Sequence, residues 1–203
     1  MLAGSFNPSI FHPSWISHHG LLPGIEADQA KVELVHDEMT SFAIEWLQFQ
    51  VTHDRLIART NDESKYSPLR DLVASIFQIL EHTPIRSFGM NRTMHFSLST
   101  ESEWHRIGHT VAPVGIWEHT LALPIGLQSL SLQSARQDGL SGNINVKIEP
   151  SRRVQYGVFF EVNSHINLSE EPPRLPEILS EKWESTMARA LEIGETTITK
   201  ILA

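Results

Sequence analysis

The chain has no cysteine, and that absence removes disulfides, thiolate nucleophiles, iron–sulfur clusters and every zinc site built on thiolate. Only histidine and carboxylate side chains are left as metal ligands. Long hydrophobic runs are missing too, since nowhere do about 18 apolar residues stand together, so no membrane-spanning helix is expected. The first residues, Met1-Leu2-Ala3-Gly4-Ser5-Phe6-Asn7-Pro8, lack the basic region and apolar run of a signal peptide. A cytoplasmic location is the expectation. Positive charge is also scarce: the net charge is −8, the pI is near 5.7, and the densest basic spot is Arg152-Arg153. Affinity for nucleic acid comes largely from neutralising phosphates, so an acidic chain without a basic stripe is disfavoured as a nucleic-acid binder. Neither a Gly-x-Ser-x-Gly elbow nor a phosphate loop occurs; Gly139-Leu140-Ser141-Gly142 is too short and lacks the lysine and the following helix.

What remains has the balance of a globular protein, with 40% hydrophobic and 20% charged residues. A chain of 203 residues fits one domain. The expectation is a single domain over 1–203, with residues 1–30 as an N-terminal arm packed on an α+β body of residues 31–203. The arm holds Phe6, Phe11 and Trp15, too much aromatic area to leave in water as a loose tail.

Along the body, Leu47, Phe49 and Val51 alternate with Gln48 and Gln50, and Thr52-His53-Asp54 leads into Arg55-Leu56-Ile57-Ala58, which predicts a β-hairpin. Ser67-Pro68 reads as an N-cap followed by a first-turn proline, opening a helix to about Leu80. Phe88, Met90, Met94, Phe96 and Leu98 then mark one face of a long strand, interrupted on that side by Arg92. Thr100 and Glu103 form a capping box for a short helix that Pro113 ends. Three strands follow, around 129–134, 143–149 and 154–162. Pro172-Pro173 and Pro176 set off a last helix of about 25 residues whose apolar stripe runs from Leu179 to Ile198. The predicted architecture is α+β: a mostly antiparallel sheet of about six strands, helices on one face, and a long C-terminal helix.

If helices cover the apolar face, the other face presents Asn91, Thr93, His95, Asn143, Asn145 and Gln155, with Ser129, Ser131, Gln133, Lys147 and Phe159. Such a face is either simply solvated or a docking surface, because amides, hydroxyls and imidazole form hydrogen bonds at less desolvation cost than charges.

Eleven histidines are the compositional excess. His105 and His109 stand four apart on the short helix, so one metal ion could take both, with a third ligand from His12, His18 or His19 of the arm. Arg106 occupies the place where a metalloprotease helix needs Glu, and a cation there disfavours a second cation. Ordinary surface histidines are the default. Paired carboxylates such as Glu101 and Glu103, or Glu170 and Glu171, fall at helix starts and loops, which are structural placements.

The leading expectation is a non-enzymatic interaction or assembly protein of the cytoplasm, with a protein partner or a second copy and no cofactor. A small metal-dependent hydrolase built on the histidines, using zinc or another divalent metal, ranks second. A small-ligand-binding domain, its ligand between the sheet and the C-terminal helix, is the third alternative.

Overall fold

A computed structural model of the chain describes residues 1–168 and 174–203. Pro172-Pro173 and the Glu170–Glu171 pair lie outside the described residues. The fold is α+β, with a large antiparallel sheet, helices packed on one face and a long C-terminal helix. Its strands are β1 (Leu2–Gly4), β2 (Lys31–Val35), β3 (Met39–Ala43), β4 (Gln48–Thr52), β5 (Arg55–Arg59), β6 (Ile85–Ser97), β7 (Leu130–Ala135), β8 (Gly142–Pro150) and β9 (Gly157–Asn167). They form one sheet in the order β2-β3-β4-β5-β1-β6-β9-β8-β7. The helices are α1 (Pro13–His18), α2 (Gly24–Asp28), α3 (Tyr66–Ile79), α4 (Glu101–Val111) and α5 (Leu175–Leu202). No described helix is long and apolar enough to cross a membrane.

Among the described residues the sheet therefore has nine strands where the sequence pattern predicted about six. β1 is three residues long, too short to display a period, yet it lies between β5 and β6, with Leu2 opposite both Leu56 and Phe88. Gly4 is required at its end, because a Cβ there would lie 2.5 Å from the carbonyl oxygen of Pro84. β3 hides its alternation because one of its two buried side chains is Thr40, whose hydroxyl donates to Pro8 O at 2.8 Å. That bond removes the cost of burying a polar group, so a polar residue occupies a core position.

Helix α3 begins at Tyr66, two residues earlier than Ser67-Pro68 suggested. A 3-10 turn capped by Asp62, whose carboxylate accepts from Ser64 N, leads directly into it. Ser67 is a helix residue rather than the cap, and its hydroxyl donates to Glu184. Thr100 caps α4 as the sequence predicts, its Oγ1 accepting from Glu103 N at 3.2 Å, while the Glu103 carboxylate accepts at 2.9 Å from Ser99 N, one residue before the cap.

The chain divides into two compact units, Met1–Gly89 with Ile166–Glu184, and Met90–His165 with Ser185–Ala203. The first unit has an aromatic core. Phe11 packs on Phe49 and Phe77 with centroids 6.1 and 6.4 Å away, and Phe42 stacks on Phe49 at 5.2 Å. Phe6, Phe11, Ile16 and Leu22 of the first 30 residues are all buried. In the second unit, Met94, Ile148, Val158, Phe160 and Val162 from the strands enclose Ile107 of α4 and Ala190 of α5. Apolar side chains at every second strand position meet helix positions three or four apart, which is how the two periods share one core.

Candidate functional site

The polar face of the sheet in the second unit starts from the alternation in β9. Val158, Phe160, Val162 and Ser164 are buried, whereas Phe159, Glu161, Asn163 and His165 between them are half-buried on the opposite side. Leu98 N donates to Tyr156 O at 3.3 Å, and Ser151 N to Gly157 O at 2.9 Å. Directly opposite residues of an antiparallel pair share a face. Counting along the strands from those bonds places Asn91 of β6, Asn163 of β9 and Asn145 of β8 in one row. Gln133 of β7, opposite Asn145, completes it and donates its Nε2 to Asn145 Oδ1 at 2.9 Å. The neighbouring row is Thr93, Glu161, Lys147 and Ser131.

Four amides thus cross four strands, and among the described residues the buried Asn163 Oδ1 has no hydrogen-bond partner. Charge on this face is mostly compensated. Lys147 Nζ lies 2.7 Å from Glu149 Oε1, and that hydrogen-bonded ammonium holds the Glu149 carboxyl below the usual range. His95 closes the face at the far end of β6. Its Nδ1 is 2.8 Å from Ser151 Oγ, and its ring packs on Phe159 at 5.0 Å. Burial pushes its pKa down, with the Arg153 cation adding to the effect.

Of the residues expected on this face, Asn91 and Thr93 are exposed, and His95, Asn143 and Asn145 are half-buried on their strands. Gln155 is elsewhere. It sits exposed in the turn before β9, which begins at Gly157 rather than Val154 and runs on to Asn167. Tyr156, with φ 49°, shows why the alternation through Val154, Tyr156 and Val158 misleads: the backbone turns there, and side-chain period carries no strand meaning through a turn.

His105 and His109 are neighbours on α4, with ring centroids 5.7 Å apart. Together with Trp104, Ile107, Leu127 and Glu149 they line a small cavity of about 230 Å³. His105 Nε2 also lies 3.8 Å from Glu101 Oε1, an ordinary contact along a helix surface. In the first unit, His12 caps α1 by accepting from Ser14 N at 3.2 Å, and His19 packs on Trp15 at 4.5 Å with His18 beside it. Among the described residues, no three His, Asp or Glu side chains are grouped as a metal ion would need.

One cluster has no counterpart in the sequence reading. Arg136, with a side chain only 4% exposed, pairs with Asp138 and donates to Ser164 Oγ. Its hydrogen bond holds the Asp138 carboxyl below the usual range. Arg136 and Ser164 line a cavity of about 410 Å³ with Ile144 and Val162 of the strands and Thr186, Arg189 and Ile193 of α5. The sequence signal was present, since Ser164 occupies a buried position of β9 where the alternation calls for an apolar residue. No protein-family model matches the chain, and neither a curated protein nor a solved structure matches it.

Proposed function

We propose that the protein is a non-enzymatic interaction or assembly protein of the cytoplasm, and that it docks a protein partner or a further copy on the polar sheet face. The observation that carries this reading is the uncharged row Asn91, Asn163, Asn145 and Gln133 across four strands, in which Gln133 donates to Asn145 Oδ1. Amides can exchange water for a partner's hydrogen bonds without the penalty of desolvating a charge. Replacing Asn91 and Asn145 by Lys puts two ammonium groups on the face. Light scattering should then show loss of the wild-type assembly, with an unchanged circular dichroism spectrum. An assembly of unchanged mass would count against the reading.

A second reading, binding of a small ligand, is supported by the cavity between β7–β9 and α5, where Ile144, Val162, Ala190 and Ile193 stand beside the polar groups of Arg136, Ser164 and Thr186. A concave site that joins apolar side chains with convergent polar groups is a usual form of ligand pocket. Ala190→Leu would project a larger side chain into it. Fragment binding by ligand-observed NMR that survives this substitution would place the ligand elsewhere.

A further inference from the structure

The two edges of the sheet differ in how they meet water. An edge strand is a row of unpaired N–H and C=O groups, and charges, prolines and bulges are what keep a second strand from adding to it. β2 carries two of these devices. Its Lys31 and Glu33 are charged, and its register against β3 shifts between Val32 and Leu34. Glu33 also accepts from Ser41 Oγ at 2.8 Å, which holds a carboxylate at the bulge.

β7 carries none of them. Leu130-Ser131-Leu132-Gln133-Ser134-Ala135 has no charge and no proline, and it pairs with β8 from Leu130 to Ala135 without a register shift. It ends the strand order, its residues 131–135 are exposed, and Leu132 stands 53% exposed.

We propose that β7 is a homodimerisation edge, pairing antiparallel with β7 of a second copy about a two-fold axis through Leu132. A two-fold axis normal to the sheet must pass where a residue faces itself, because opposite residues in an antiparallel pair share a face. Centred on Leu132, the pairing sets the one well-exposed leucine of the strand against its own copy. On the other face Ser131 meets Gln133 of the copy, a pair that can hydrogen-bond. A net charge of −8 repels copies in general, yet the charges beside this edge are paired off, Lys147 with Glu149 and Arg136 with Asp138. An uncharged strand offers nothing to select a charged peptide, whereas its sequence complements itself. This inference rests on the assembly reading only in taking the chain to self-associate, and it does not need the polar face.

Sedimentation equilibrium of the full chain at increasing concentration should give a species of twice 23.0 kDa. Leu132→Lys, and separately Leu132→Glu, should raise the dimer dissociation constant by about 100-fold, through lost apolar contact and like charges placed face to face. Mixing the two variants should restore a dimer, an outcome that a folding defect cannot produce. Asn91→Lys, three strands from the edge, should leave the dimer intact. A wild-type chain that stays monomeric overturns the proposal. So does a dimer that Asn91→Lys abolishes and Leu132→Lys spares, a result that would instead support docking on the polar face. A dimer lost in both Leu132 variants and rescued by their mixture, with Asn91→Lys inert, establishes the edge and counts against self-docking on the face.

Discussion

Glycine to alanine in the middle of a helix ordinarily stabilises a protein by about 0.5–1 kcal/mol, because alanine has less backbone freedom to lose on folding. Gly108 in the interior of α4 and Gly194 in the interior of α5 should respond with opposite signs. A Cβ on Gly108 would meet only Leu127 Cβ, at 3.9 Å, an ordinary contact. Gly108→Ala should therefore raise stability by about 0.5–1 kcal/mol. A Cβ on Gly194 would lie 2.8 Å from both Cε2 and Cζ of Phe96. That ring stands edge-on to Phe160, 5.6 Å away, and Phe160 is fully buried. Overpacking costs about 1–3 kcal/mol, and the lower part of that range applies because Phe96 is half-buried and its ring can tilt. The propensity gain is outweighed, leaving a net loss of about 0.5–1 kcal/mol for Gly194→Ala. Urea unfolding followed by circular dichroism measures both changes at constant m value. Trimming the ring by Phe96→Leu should remove the clash, so the double variant should show a favourable coupling of about 1 kcal/mol. If Gly194→Ala stabilised the protein as much as Gly108→Ala, or the coupling were nil, the packing argument would be refuted.

Two further outcomes follow from the electrostatics of the second unit. Asp138→Asn leaves the buried Arg136 cation without its anion. Breaking a buried pair costs about 3–5 kcal/mol, and the 37% exposure of Asp138 lowers the expectation to about 2–3 kcal/mol. Glu192→Gln, which breaks the exposed pair with Arg189, should cost less than about 0.5 kcal/mol; equal losses in chemical denaturation would contradict the burial argument. The lowered pKa of His95 makes the unfolded chain take up that proton first as pH falls through about 6.5, so stability declines from there until the folded imidazole is protonated as well. His95→Gln should shrink the drop in urea midpoint between about pH 7.5 and about pH 5.5, and an undiminished drop would assign it to other groups.

Much of the architecture is legible in the residues themselves. The one-sided strand β6, the capped helix α4 and the stripe of α5 were readable because each runs long enough to repeat its own period several times. β1 was not, since three residues show no period and its partners Leu56 and Phe88 are remote in sequence. The start of β9 was misread because a turn at Tyr156 can continue an alternation by accident.

The candidate site divides in the same way. That Asn91, Thr93, His95, Asn143 and Asn145 occupy polar positions of strands is a local property, dictated by the two-residue period of the strand. That Asn91, Asn163, Asn145 and Gln133 form one row depends on register between strands. Register is set by hydrogen bonds and packing among distant residues, which no single stretch of sequence encodes. The burial of Arg136 against Ser164 and Asp138 was likewise decided by tertiary packing. A charged residue in a loop looks solvated until the fold closes over it, and only then must its neighbours provide the partners that water supplied before.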